Sequence, residues 1–236
     1  MKNIIKSINM GIIMLFVFGG ILIWTSFPNA VVGLKPAVSF DDLLDEDIEL
    51  KSGMHISGQV PYVLDYFATE STYTQYNNGS RTGDRANGRY YLVPTYDGFI
   101  AMKGAQKDVD VLDDLIDETW IYLMDGTEPT TEYSMDGVTE VLDDYKLAQY
   151  FNEYIEDMGY TEEEIAEMGD PLLVHTVSFM ACWIMLAIGI VLLVLGILLF
   201  RKCYRRTKYG SGLSKAEDLP NVPVHTTAKP FEGADD

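Results

Sequence analysis

Histidine, cysteine and paired acids are the side chains best suited to chemistry, and their placement in this chain does not favour it. The two cysteines are Cys182 and Cys203, and the only histidine between residues 28 and 171 is His55. One histidine without a cysteine makes a zinc site only with three carboxylates beside it. No serine, histidine and aspartate stand at a spacing that supports a nucleophilic triad, and Gly-x-Ser-x-Gly is absent. The run Asn78-Gly79-Ser80-Arg81-Thr82-Gly83 lacks the Lys-Ser/Thr pair that a phosphate loop needs at the start of its helix. Acids are abundant at Asp113/Asp114, Asp117/Glu118, Asp143/Asp144 and Glu162/Glu163/Glu164. The stretch Asp108-Val109-Asp110-Val111-Leu112 breaks a calcium loop at its third ligand. Helical spacing puts most of these acids on solvated faces. The expectation is no catalytic residue, no metal site and no cofactor.

One stretch stands out. Between Ser71 and Arg89 the chain is polar and rich in glycine, and it carries Arg81, Arg85 and Arg89 near Tyr73 and Tyr76. It reads as a long loop. Its arginines either meet neighbouring acids or make a binding loop for an anionic group or a partner, and long loops in compact domains are often functional.

These residues must be positioned by elements whose organisation is set by charge and hydropathy. The net charge is −19, from 17 Lys/Arg and 36 Asp/Glu. From Ser26 to Pro171 there are 8 Lys/Arg against 31 Asp/Glu, while Lys2 and Lys6 precede that segment and Arg201, Lys202, Arg205, Arg206 and Lys208 follow it. So acidic a middle disfavours nucleic acid as a partner. Phe179–Phe200 has 22 residues and no ionisable group except the Cys182 thiol. As a helix it is about 33 Å long, enough for a bilayer core. Residues 8–27 form a second apolar block, either an uncleaved anchor or a signal peptide. Both readings export the middle, and the positive-inside rule puts both ends in the cytoplasm.

The expected division is a cytoplasmic stub at 1–7, a membrane helix at 8–27, an acidic extracytoplasmic domain at 28–171, a second membrane helix at 172–200, and a disordered cytoplasmic tail at 201–236. Gly189 and Gly196, seven residues apart, would let another helix approach closely.

Within 28–171, strands precede helices. His55–Ala68 alternates through Val60, Tyr62, Leu64 and Tyr66, with Pro61 marking an edge position or a bulge. Arg89–Pro94 and Phe99–Lys103 flank the Tyr96-Asp97-Gly98 turn as a hairpin. Helical spacing follows at Leu112, Leu115, Ile116, Trp120 and Leu123 up to Gly126. A second stripe runs from Val138 through Val141, Leu142, Tyr145, Ala148, Phe151, Ile155 and Met158, with Gly159 closing it. Thr161 and Glu164 form a capping box for a short third helix. A short acidic helix near Leu43, capped by Ser39 or Asp41, and a solvated tether fit 31–50 equally. The fold class is α+β: a small antiparallel sheet with packed helices, on two transmembrane helices.

An anchor, then Ser57-Gly58-Gln59-Val60, then Tyr90-Tyr91-Leu92-Val93-Pro94 with Asp97-Gly98-Phe99-Ile100-Ala101, then a second anchor, resembles uncharacterised two-pass membrane proteins of bacteria. The resemblance implies no activity. Three function classes follow from the sequence: a non-catalytic sensor or assembly subunit of a membrane complex, a membrane-anchored ligand-binding or envelope domain, and a membrane-bound enzyme. The expected partners are the lipid bilayer and another membrane protein or a second copy.

Overall fold

The computed structural model describes residues 10–77, 79–83 and 85–209. The stub expected at 1–7 and the tail beyond 209 lie outside the described residues. The protein forms two units, one of residues 21–189 and one from the two chain ends, described over 10–20 and 190–209.

The elements run α1 (Met10–Val32), α2 (Phe40–Asp45), β1 (His55–Gln59), β2 (Asp65–Thr72), β3 (Arg85–Thr95), β4 (Gly98–Ala105), a 3₁₀ turn (Gln106–Asp108), α3 (Val109–Asp125), β5 (Ser134–Val141), α4 (Tyr145–Asp157), α5 (Glu162–Glu167), β6 (Leu172–Thr176) and α6 (Phe179–Tyr209). The fold is α+β, as expected, but the sheet is larger and mixed. Its six strands lie in the order β1-β5-β6-β4-β3-β2, and β4 pairs with β6 in parallel.

Four segments depart from the sequence reading. His55–Ala68 is not one strand. Gln59 ends β1, Pro61 lies in the connector, and Asp65 opens β2, so the two halves form opposite edges of the sheet. Pro61 has no N–H to donate to a ladder, which is why the run breaks there. The helix expected from Val138 starts at Tyr145 instead, because Ser134–Val141 is a strand paired on both sides. Gly137 and the β-branched Val138 and Thr139 favour that state, and the Asp144 carboxylate caps α4 by accepting from the Lys146 and Leu147 N–H groups. The apolar block from Leu172 likewise opens as β6 and turns helical only at Phe179. The expected tail from 201 begins inside α6, which continues to Tyr209.

Both sheet faces are covered, and strand alternation divides the apolar residues between them. On one face Tyr91, Val93, Ile100, Met102, Ile56, Met135 and Val174 pack against Phe40 and Leu43 of α2 and Leu112 and Leu115 of α3. The buried Phe40 and Leu43, with Ser39 in a capping box, make 40–45 a packed helix and not a tether. On the other face Leu92, Ala101 and Leu173 meet Phe151 and Ile155 of α4. Further along that face, Val138 joins Ala30, Val32, Val177, Cys182 and Leu186 at the ends of α1 and α6.

The α3 stripe is buried through Leu112 and Leu115, but Trp120 is 45% exposed and Leu123 57%. The indole lies across the 60–64 connector and donates to the Leu64 carbonyl at 2.9 Å. The buried Thr119 accepts from the Val63 N–H at 3.2 Å and donates to the Leu115 carbonyl at 2.7 Å, which ties the same connector to α3. Gly126, at φ 79°, closes α3 in the left-handed region that glycine tolerates. On α4, Phe151 and Ile155 are buried, whereas Tyr145 and Met158 are exposed.

Two helices, Met10–Val32 and Phe179–Arg205, are long and apolar enough to cross a membrane. Only 17% and 11% of their most apolar windows are buried. A helix from a soluble core would be buried over most of its surface.

Candidate functional site

The arginine and tyrosine residues of the 71–89 stretch do not converge. The loop is shorter than expected, because β2 reaches Thr72 and β3 starts at Arg85. Near the tip, Gln75 bridges Arg81, and the Arg81 guanidinium lies 5.0 Å from the centre of the Tyr73 ring. Tyr76 and Arg85 are exposed. Arg89 belongs to the strand. Its Nη1 donates to both Asp113 carboxylate oxygens, at 2.7 and 2.8 Å, and its guanidinium stacks 4.4 Å over Tyr66. Arg89 thus pins β3 to α3.

The two glycines of α6 are both buried. In the unit built from the chain ends, a Cβ at Gly196 would stand 3.4 Å from the Phe16 ring and 3.5 Å from Leu15. The close approach that glycine permits at Gly196 is therefore made to α1 of the same chain.

The unit of residues 21–189 contains a junction that sequence reasoning did not find. His55, Val138 and His175 are register partners across β1, β5 and β6. Val138 sits between the two histidines and packs into the helix-end cluster. His55 Nε2 is 2.7 Å from the Asp136 carboxylate, and Nδ1 is 3.3 Å from the Lys35 carbonyl. The Phe179 ring, at the start of α6, meets the His55 ring at 4.5 Å. His175 lies 3.3 Å from Glu140, without hydrogen-bond geometry. One strand residue thus touches both the segment that follows α1 and the first turn of α6. The only sequence signal was a lone histidine beside a strand, which by itself reads as structural.

A second feature is a cleft of about 740 Å³, walled by the segment after α2, the β3–β4 turn and the α5 region. Its lining includes Leu43, Leu50, Phe99 and Leu172, the tyrosines Tyr96 and Tyr160, and the acids Glu49, Asp97, Glu167 and Asp170. Phe99 and Tyr160 meet edge to face at 5.4 Å. Met168 packs so tightly on the turn that a Cβ at Gly98 would lie 3.0 Å from its sulfur. Lys51, the one cation among the described lining residues, is paired with Glu49 at 2.7 Å. A hydrogen bond with the neighbouring Asp47 carboxyl raises the Asp97 pKa. Three segments far apart in sequence build this cleft, so no local motif announces it.

No curated protein and no solved structure matches the chain. A family model described as a domain of unknown function (DUF8577) matches residues 1–202. That match spans α1, the whole sheet domain and most of α6, and the chain belongs to this family.

Proposed function

We propose that this chain is a non-catalytic integral membrane protein, a sensor or assembly subunit of a membrane complex. In this reading α1 and α6 span the membrane, both termini are cytoplasmic, and the acidic α+β domain stands outside. The observation that supports it is the junction at His55. The ring is tied to Lys35 after α1, to Asp136 on β5 and to Phe179 on α6. A domain so tied transmits a change in its sheet to the helix ends without an intervening flexible linker. The lipid-facing surfaces then carry the partner contact, since Gly196 is engaged within the chain.

The test is photo-crosslinking in native membranes, with a photoreactive residue in turn at the exposed positions Ile184, Val191, Leu195 and Leu198. One dominant protein adduct on one helix face is expected, to another membrane protein or a second copy. No protein adduct at any position, with a monomeric mass in native membranes, would remove the basis of the reading. Substrate turnover by the purified full chain would replace it with an enzyme.

The second reading, a membrane-anchored ligand-binding domain, is favoured by the 740 Å³ cleft, whose size lies within the range of small-molecule sites.

A further inference from the structure

We propose that this cleft binds a linear aliphatic polyamine. The inference stands apart from the membrane-partner reading, since a single chain contains the whole cleft. Three features converge on the ligand class. The lining combines apolar residues such as Leu50 and Phe99 with charged ones, and so suits methylene groups carried beside ammonium groups more than a hydrated metal ion. Tyr96 and Tyr160 line the cleft, and tyrosine faces attract ammonium groups. Glu167 and Asp170 line the same space and form no ion pair among the described residues, while Lys51 is neutralised by Glu49. Ammonium groups spaced along an alkyl chain match separated carboxylates around an apolar surface. A second copy of this acidic domain would bring like charge against like charge. The lining includes the closed two-residue turn at Tyr96-Asp97.

The experiment is calorimetric titration of spermidine into the full chain in detergent, at about 150 mM salt, where exposed charges are screened beyond roughly 8 Å. Saturable binding of one spermidine per chain is expected. The double variant Glu167→Gln/Asp170→Asn should weaken it at least about tenfold, as expected for losing charge-assisted contacts. Tyr96→Ala should weaken it by about threefold, the scale of an exposed cation–π contact. The control Asp114→Asn/Asp117→Asn removes two exposed acids of α3, outside the cleft, and should leave the affinity within about twofold. Four results would each overturn the proposal: no saturable binding, equal weakening by the α3 control, displacement by magnesium at an equal concentration of charge, or tighter binding of an arginine-rich hexapeptide. The second and third would mean counter-ion attraction to an acidic surface. The fourth would make the cleft a protein-docking site.

Discussion

The Phe179 ring lies between His55 and Gly33. It meets the imidazole at 4.5 Å with 63° between the ring planes, and it sits where a Cβ at Gly33 would be, 2.5 Å from Cδ1 and 2.8 Å from Cγ. Glycine is therefore required at residue 33 for the start of α6 to reach β1.

Gly33→Ala tests that requirement. The added methyl meets ring atoms near the Phe179 backbone and cannot be accommodated by swinging a flexible chain end. The expected cost is about 1–3 kcal/mol, typical of overpacking, with loss of the His55–Phe179 contact. Thermal unfolding of the full chain in detergent gives the first. The imidazole proton shifts of His55 by NMR give the second, because an aromatic ring 4.5 Å away shields or deshields them. Unchanged shifts and stability would show that the ring has another place to go.

Two aromatics that each lie on a helical stripe in the sequence should now respond differently. Phe151 is 4% exposed and packed on Phe67 at 5.4 Å, so Phe151→Ala should cost about 3–5 kcal/mol. Trp120 is half exposed and supplies one hydrogen bond, to Leu64, so Trp120→Phe should cost only about 1 kcal/mol. Urea unfolding of both variants separates the two. Equal losses would mean that the indole contributes as a core residue.

The difference between these residues shows how far the sequence could be read. Helical spacing located α3 and α4 and the Thr161–Glu164 capping box, because those signals depend on neighbours three or four residues away. Periodicity could not tell that the 60–64 connector would occupy the outer side of Trp120, since that contact spans 56 residues. Strands β5 and β6 were missed for a related reason. Each adjoins a helix, and each owes its state to partners on both sides of it. Val138 and Leu172 were apolar residues absorbed into the neighbouring helix pattern. The cleft and the His55 junction were illegible because each assembles residues from separate elements, whereas the arginine stretch was visible as composition; it forms the β2–β3 hairpin, with Arg81 beside Tyr73 and Arg89 bonded to Asp113 of α3.

Glu118 carries a pH prediction. Its carboxylate accepts from the Thr131 N–H at 2.7 Å and the Thr130 N–H at 2.6 Å, and these bonds hold its pKa below the ordinary range, against a smaller desolvation effect. A depressed acid contributes stability that is present above its unfolded pKa and is lost as pH falls through its folded one. The loop after α3 should therefore stay closed at neutral pH and loosen below the ordinary carboxylate range. Hydrogen-exchange protection of the Thr130 and Thr131 amides should fall with acid in the native chain. In Glu118→Gln it should already be low at neutral pH. Protection that is pH-independent in both chains would assign the loop's order to other contacts.

The central claim is that α1 and α6 both cross the membrane, with the sheet domain on one side and both ends on the other. Labelling intact cells with a membrane-impermeant maleimide tests it most directly, in chains lacking Cys182 and Cys203 and carrying one new cysteine. Ser80→Cys stands at the exposed tip of the β2–β3 hairpin, and Ser214→Cys follows α6. The account predicts that Ser80→Cys is labelled in intact cells and Ser214→Cys only after the membrane is opened. Labelling of Ser214→Cys with protection of Ser80→Cys, or labelling of both before lysis, would contradict it.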